Sequence, residues 1–234
     1  MVEREVRWGG IHNTRDLGGL TTLAGRTQFG RIFRMPRPDA LTDWGWTALE
    51  RDGVRTLIDL RNADEIVELP LRPSSVRSIH RPIEDLGDSE FMALMAPFLG
   101  SPTYYSENLR RWPDKIGRVF ATIAAAPAGG VVVHCSAGRD RTGLITALIL
   151  SLCGVEIDAI LDDYEVGIRE TNDYLASHDN AHEDPRTPLE LTAAMASARS
   201  TLSDLLERIN IERYLLDAGC SPAQLDQVRR RLLE

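Results

Sequence analysis

Cysteine is scarce in this chain: there are three, Cys135, Cys153 and Cys220, with no short repeated spacing among 234 residues. That scarcity excludes a disulfide framework and a four-ligand zinc site, and it fits a reducing compartment. Long apolar runs are missing as well. The longest, Leu144 to Val155, falls short of the roughly 20 residues that span a bilayer, and the opening Met-Val-Glu-Arg-Glu-Val-Arg-Trp lacks the apolar centre of a secretory signal. The expected location is the cytoplasm, without stable membrane association. Positive charge is in deficit, with 27 Lys plus Arg against 35 Asp plus Glu and a net charge of −8, which argues against nucleic acid as a partner. An anionic ligand would have to be captured by locally placed arginines and backbone N–H groups. No repeat or low-complexity tract is present. What is there, 43% hydrophobic and 26% charged residues, describes an ordinary globular chain, read as one domain over 1–234.

Strand and helix signals alternate as far as His134. Residues 31–34, Val54–Leu60, Ser78–Ile83 and Val131–His134 read as strands, the last an unbroken β-branched run of the kind buried on both faces. Leu41–Arg51 carries a helical pattern opened by Thr42 or Asp43, and Lys115–Ala126 carries another. Beyond His134 everything reads as helix: Thr142–Cys153, Ile157–Leu175, Pro188–Ala218, then a last helix with Ser221 as cap, Pro222 in the first turn and Gln224 completing a capping box. Gly219 sits where a glycine would stop the preceding helix. The expected fold is α/β, a mainly parallel central sheet flanked by helices, with a helical C-terminal half. Residues 87–111, rich in Phe, Met, Leu and Tyr, read either as a core-packing helix and loop or as a lid insertion over a pocket.

The segment that carries chemistry runs Val131-Val132-Val133-His134-Cys135-Ser136-Ala137-Gly138-Arg139-Asp140-Arg141-Thr142-Gly143: a buried strand, a tight polar loop, a long apolar helix. Cys135 and Arg141 bracket five residues. A loop wrapped around a helix N-terminus points successive backbone N–H groups at one place, a nest for a tetrahedral oxyanion, and the same field stabilises a thiolate. Ser136, Ala137, Gly138 and Arg139 are thus candidate phosphate binders. Arg141 supplies a planar fork for two oxygens, Cys135 is placed to attack phosphorus, and the Thr142 hydroxyl can donate to the departing sulfur. A cysteine of purely packing use would require the His-Cys pair, the spacing, the closing Arg-Thr-Gly and the strand–loop–helix context to coincide by accident. Cys153 and Cys220 have no such surroundings and read as structural.

On these residues the chain resembles the cysteine-dependent protein tyrosine phosphatase superfamily, whose signature is His-Cys-x5-Arg-Ser/Thr, and within it the bacterial tyrosine and dual-specificity branch. That branch carries His-Cys-x-Ala-Gly-Lys-Asp-Arg-Thr-Gly, Asn-Phe-Arg-Asp-Leu-Gly-Gly, and Asp-Leu-Arg followed by Glu. Here these stand as His134 to Gly143, Asn13 to Gly19, and Asp59-Leu60-Arg61 with Glu65, with weaker echoes at Gly30 to Arg34, Asp163-Tyr164, Asn172-Asp173 and Tyr214 to Gly219. The resemblance implies a phosphatase fold and a phosphomonoesterase working through a phosphocysteine, with no metal and no cofactor. Its implied substrates are phosphotyrosine proteins, with phosphoserine, phosphothreonine and phosphoinositides as further candidates. Two positions depart from the branch: Arg139 replaces its Lys, keeping the charge associated with wider substrate range, and Thr14 replaces its Phe. A catalytically silent phosphate-binding module and a rhodanese-like sulfurtransferase are the competing readings.

Three aspartates compete to protonate the leaving group. Trp112-Pro113-Asp114 copies the letters of a eukaryotic acid loop but also makes a plain helix start. Asp85 follows a strand at the end where ligands gather in α/β sheets, in a segment like one that carries an aspartate implicated in activity in the related enzymes. Asp140 lies inside the loop, where pairing to Arg139 or Arg141 would keep it ionised. Asp85 and Asp140 are the preferred pair. Arg15 and Asp16 read as a structural Arg–Asp and turn element, His134 as a group that orients the Cys135 backbone, and His178 with His182 as part of a solvated loop rather than a metal site.

Overall fold

The structure is a computed structural model that describes residues 4–23, 25–66, 72–178 and 183–234. Seven strands occur among them: β1 (Arg15–Asp16), β2 (Thr21–Thr22), β3 (Gly25–Arg26), β4 (Ile32–Met35), β5 (Val54–Asp59), β6 (Arg77–His80) and β7 (Gly130–His134). Apart from the β2–β3 hairpin they form one sheet in the order β1-β4-β7-β5-β6, parallel throughout except for the antiparallel edge strand β1. The mainly parallel α/β sheet expected from the sequence is therefore present. β7 lies at its centre and is buried along its whole length. Val131 and Val133 enter a large core with Ile32 and Ile58, whereas Val132 faces a smaller one with Phe33, Met35, Leu57, Trp46 and Leu49. Covering on both faces explains why the strand reads as a continuous apolar run rather than an alternating one.

The helices are α1 (Asp43–Arg51), α2 (Ser89–Met95), α3 (Tyr105–Arg111), α4 (Pro113–Ala125), α5 (Asp140–Leu152), α6 (Ile157–Ser177), α7 (Pro188–Arg208), α8 (Ile211–Asp217) and α9 (Pro222–Leu233). Thr42 caps α1 by accepting from Gly45 N–H at 3.0 Å, and Ser221 with Gln224 makes the capping box of α9. α5 is buried from Thr142 to Leu150, so it runs through the core rather than over it.

Two expected elements differ. The single helix Pro188–Ala218 is two, because Ile209 is extended and the Asn210 side chain accepts from Arg213 N–H at 2.9 Å, starting a new helix. The signal was an asparagine four residues before Tyr214, a better cap than helix interior. The strand Ser78–Ile83 stops at His80, since Pro82 has no N–H for a ladder. Residues 87–111 hold α2, α3 and two 3-10 turns, rooted in the core by Phe91, Tyr104 and Tyr105 while Leu94 and Phe98 stay exposed. No helix among the described residues is long and apolar enough to cross a membrane.

Candidate active site

Parallel strands deliver their C-terminal ends to one edge of the sheet, and every expected site segment leaves from there. β7 ends at His134 and runs into the loop Cys135–Arg139, which passes directly into α5. Three carbonyls of this loop are drawn outward by the scaffold. Ser136 O accepts from Arg37 N–H at 2.9 Å, Ala137 O from Asn13 Nδ2 at 3.0 Å, and Gly138 O from Arg34 Nη2 at 2.6 Å. In a trans peptide the following N–H points the opposite way, so the amides of Ala137, Gly138 and Arg139 turn toward the loop's interior, beside the N-terminus of α5. Gly138 has φ +66°, and a Cβ there would lie 2.6 Å from Met35 O, so the end of β4 admits only glycine. Asn13, itself at φ +52°, holds the turn from which it reaches Ala137.

The outward pull on Gly138 is anchored in a buried ion cluster. Arg34 donates to Asp163 Oδ2 at 2.6 Å, Arg15 Nε to Asp163 Oδ1 at 3.2 Å, and Arg4 also pairs with Oδ1. Burial pushes the Asp163 carboxyl up, but the three arginines overcome it and hold it well below the usual carboxylate range. Arg15 therefore pairs with Asp163 rather than with Asp16. Asp16 instead accepts from Gly18 N–H at 2.8 Å and Gly30 N–H at 2.7 Å, which is the turn half of the expected element.

On the open side, Cys135 is 3% exposed and Arg141 is held by two glutamates. Glu65 takes both terminal nitrogens of the guanidinium, its Oε1 2.6 Å from Nη2, and accepts from Ser136 Oγ at 2.8 Å. Burial raises the Glu65 carboxyl, and the Arg141 hydrogen bonds outweigh that and bring it to about 2. The Asp59-Leu60-Arg61 sequence explains how Glu65 arrives there. Asp59 locks Arg61 at 2.7 Å, and Asn62 N–H donates to Glu65 Oε2 at 2.9 Å, closing a capping box that aims the side chain. Glu84 Oε1 lies 3.4 Å from Arg141 Nε. Burial pushes this carboxyl up to about 7.

The loop thus brings Cys135, Ser136, Ala137, Gly138 and Arg141 together. Thr142 follows, fully buried, its hydroxyl without a hydrogen-bond partner. Arg139 turns away: it is 4% exposed, with its fork on Glu183 at 2.8 and 3.1 Å and its Nε on Asp140 at 3.0 Å. Asp140 also accepts from Tyr164 OH at 3.1 Å. Asp85 is exposed and closes its own turn by accepting from Gly87 N–H at 2.9 Å. Asp114 stands in the first turn of α4 paired with Arg118, which is the helix-start reading of Trp112-Pro113-Asp114. His134 is fully buried, and burial lowers it to about 4, so its ring is neutral.

His178 stacks on Tyr174 with centroids 4.2 Å apart, and His182 lies outside the described residues, among which no cluster of three potential metal ligands occurs. Cys153 and Cys220 are buried and unpaired, and burial takes the Cys153 thiol to about 12. The residues missed by sequence reasoning are Glu84, adjacent to the chosen Asp85, and the guanidinium of Arg34. Arg34 is a charge inside an apolar run, Phe33-Arg34-Met35, and that was the available signal; Glu84, beside Asp85, carries no such signal.

Comparison with known proteins matches residues 6–234 to the tyrosine phosphatase family. Over 156 residues the chain is 34% identical to a tyrosine-protein phosphatase of Nostoc commune, covering 62% of this chain and 53% of that protein, so it spans about half of that relative's length. It is 26% identical to the triple specificity protein phosphatase PtpB of Mycobacterium tuberculosis over a 283-residue alignment covering 100% of each. Among solved structures, TpbA of P. aeruginosa shares 18% identity at a TM-score of 0.44, covering 80% of this chain and 86% of that one.

Proposed function

This chain belongs to the tyrosine phosphatase family, and on that premise we propose that it is a phosphomonoesterase that hydrolyses phosphotyrosine through a phosphocysteine. The phosphate dianion enters the loop, where the inward amides of Ala137, Gly138 and Arg139 and the guanidinium of Arg141 receive its oxygens. The Cys135 sulfur attacks phosphorus as the bond to the phenolic oxygen breaks, and an aspartate at the rim, Asp85 or Asp140, supplies the leaving oxygen's proton. Water then attacks phosphorus, giving its proton to the same aspartate, now a carboxylate, as the bond to sulfur breaks and the thiolate departs with the Thr142 hydroxyl donating to it. Phosphoserine, phosphothreonine and phosphoinositides are further substrates under this reading, and phosphotyrosine proteins in the cytoplasm are its proposed partners. The free state of all three cysteines supports that reducing location.

The observation that carries the proposal is the loop whose carbonyls of Ser136, Ala137 and Gly138 are all tied to the scaffold behind it, directly after a cysteine and before a half-buried arginine. A silent binding module would retain that cradle, and a sulfurtransferase would not need Arg141 and Thr142. Replacement Cys135→Ser tests the point. Turnover of phosphotyrosine peptide is expected to vanish while vanadate, a phosphate mimic, still binds. Substantial residual turnover would remove the covalent mechanism.

A further inference from the structure

Glu84 is a carboxyl with an unusual address. It is 4% exposed, its Oε1 lies 3.4 Å from Arg141 Nε, and its Oε2 is buried with no hydrogen-bond partner. Glu65 occupies the two terminal nitrogens of the same guanidinium. The edge left for a phosphate oxygen is therefore the one that runs through Nε, and Glu84 borders it. A dianion entering the loop brings more negative charge to a carboxylate that already faces like charge.

The charged and titratable groups around Glu84 come from four elements. Arg141 and Asp140 lie on α5, Glu65 on the 3-10 turn after β5, Lys115 on α4, and Tyr104 on the turn before α3. Lys115 does not neutralise the side chain directly, because its ammonium is bound to the Glu84 backbone carbonyl at 2.7 Å and lies over the Trp112 ring. Arg141, already committed to Glu65, is thus the only cation at ion-pair distance from the Glu84 carboxyl among these groups, with Lys115 acting on it from farther away.

We propose that Glu84 is a proton-linked positioning residue: it steadies Arg141 while the loop is empty and takes a proton from solvent when a phosphate dianion arrives. Protonation removes a charge that would repel the substrate and leaves the Nε edge of Arg141 to the phosphate oxygen. The inference rests on the reading of the loop as a phosphate cradle. Its physical support is that burial already brings Glu84 to about 7, so the added field of a dianion completes the protonation near neutral pH.

Sulfate is the probe, since it remains a dianion across the range, and Cys135→Ser is the background, since it removes the sulfur's charge. His134, near 4, does not titrate in this range. With Glu84 present, sulfate affinity is expected to weaken about fivefold or more from about pH 6 to about pH 8, and with Glu84→Gln it should stay flat. An equally steep loss in Glu84→Gln overturns the proposal. Should Glu84→Gln fail to fold, calorimetry of sulfate binding to the Cys135→Ser protein in buffers of different ionisation heat decides alone. Net proton uptake near pH 7.5 is expected, and none overturns it. Failure of sulfate to bind at any pH, in both proteins, instead overturns the cradle reading beneath it.

Discussion

Two clusters of arginine and carboxylate flank the loop, and they are built in opposite ratios. Behind it, one carboxylate, Asp163, answers the guanidiniums of Arg4, Arg15 and Arg34, with Glu170 3.5 Å from Arg15 at the rim. In front, one guanidinium, Arg141, answers the carboxylates of Glu65 and Glu84. Both clusters are largely out of water, where an unmatched charge is costly. The minority partner is therefore fixed in each: Asp163 stays ionised, and so does Arg141. What differs is the surplus. The rear surplus is arginine, whose spare donors go to the carbonyl of Gly138 and to Asn13 Oδ1. The front surplus is carboxylate, which has no such outlet, and burial raises Glu84 to about 7. The same residue types thus make a brace on one side and a titratable group on the other.

The largest expected effect belongs to the proposed proton donor. Asp140 has both oxygens engaged, by Arg139 and Tyr164, whereas one oxygen of Asp85 only closes its own exposed turn. Replacement Asp85→Asn is therefore expected to slow phosphotyrosine hydrolysis by about 10²–10⁴-fold while an activated aryl phosphate, whose phenolate leaves unaided, is far less affected. Asp140→Asn should lower both rates alike. The reverse pattern moves the role to Asp140, and the same collapse in Asp114→Asn would assign it to the helix start.

Next in size is the rear brace. Asp163→Asn keeps the shape but leaves Arg15 and Arg34 buried without a counter-charge, a loss of about 3–5 kcal/mol of stability by urea unfolding at neutral pH. Because the folded-state carboxyl is held below its ordinary range, wild-type Asp163 contributes fully above about pH 4 and loses its contribution as pH falls further. A loss under about 1 kcal/mol would show that the rear cluster does not hold the loop.

Much of this was legible in the sequence because it is local. The β-branched run before Cys135, the five-residue spacing to Arg141, and the capping box at Ser221 are each decided within a few residues. The motif residues Asn13, Arg15, Asp59, Arg61 and Glu65 were visible as letters, but the distant partners of Asn13, Arg15 and Glu65 were not. Arg15 meets Asp163 across 148 positions, and Arg141 meets Glu65 across 76. Ion-pair choice at such separations is set by which elements the fold brings together, β1 with α6 for Arg15 and Asp163, and α5 with the turn after β5 for Arg141 and Glu65. Glu84 was hidden for another reason. Next to an aspartate of the right chemistry it looked redundant, and only burial separates the two, with Glu84 inside and Asp85 exposed.

Arg141→Lys keeps the front cation and removes its planar fork, so Glu65 and a phosphate oxygen would compete for one ammonium. A fall of about 10²–10³ in kcat is expected. A near-normal rate would mean that charge alone suffices and that the two-glutamate clamp has no geometric purpose.

The smallest effect is also the one that separates the two clusters most cleanly, because it depends on pH where the rear cluster does not. Glu84 is raised from its ordinary value of 4.5 to about 7 in the folded protein by burial, and Glu65 and Asp140 add to that while Arg141 opposes it. A carboxyl raised on folding favours the folded state while it is protonated. Its contribution is complete below about pH 4.5 and is lost as pH rises through about 7. The amide introduced by Glu84→Gln has no proton to lose. Urea unfolding of Glu84→Gln at about pH 8 should therefore show a gain on the order of 1–3 kcal/mol over wild type, and at about pH 5 no gain. Asp163→Asn must be destabilising at both pH values. If Glu84→Gln shifts stability equally at both, Glu84 is ionised throughout like Asp163, and the surplus of carboxylate in front of the loop is absorbed by Arg141 after all.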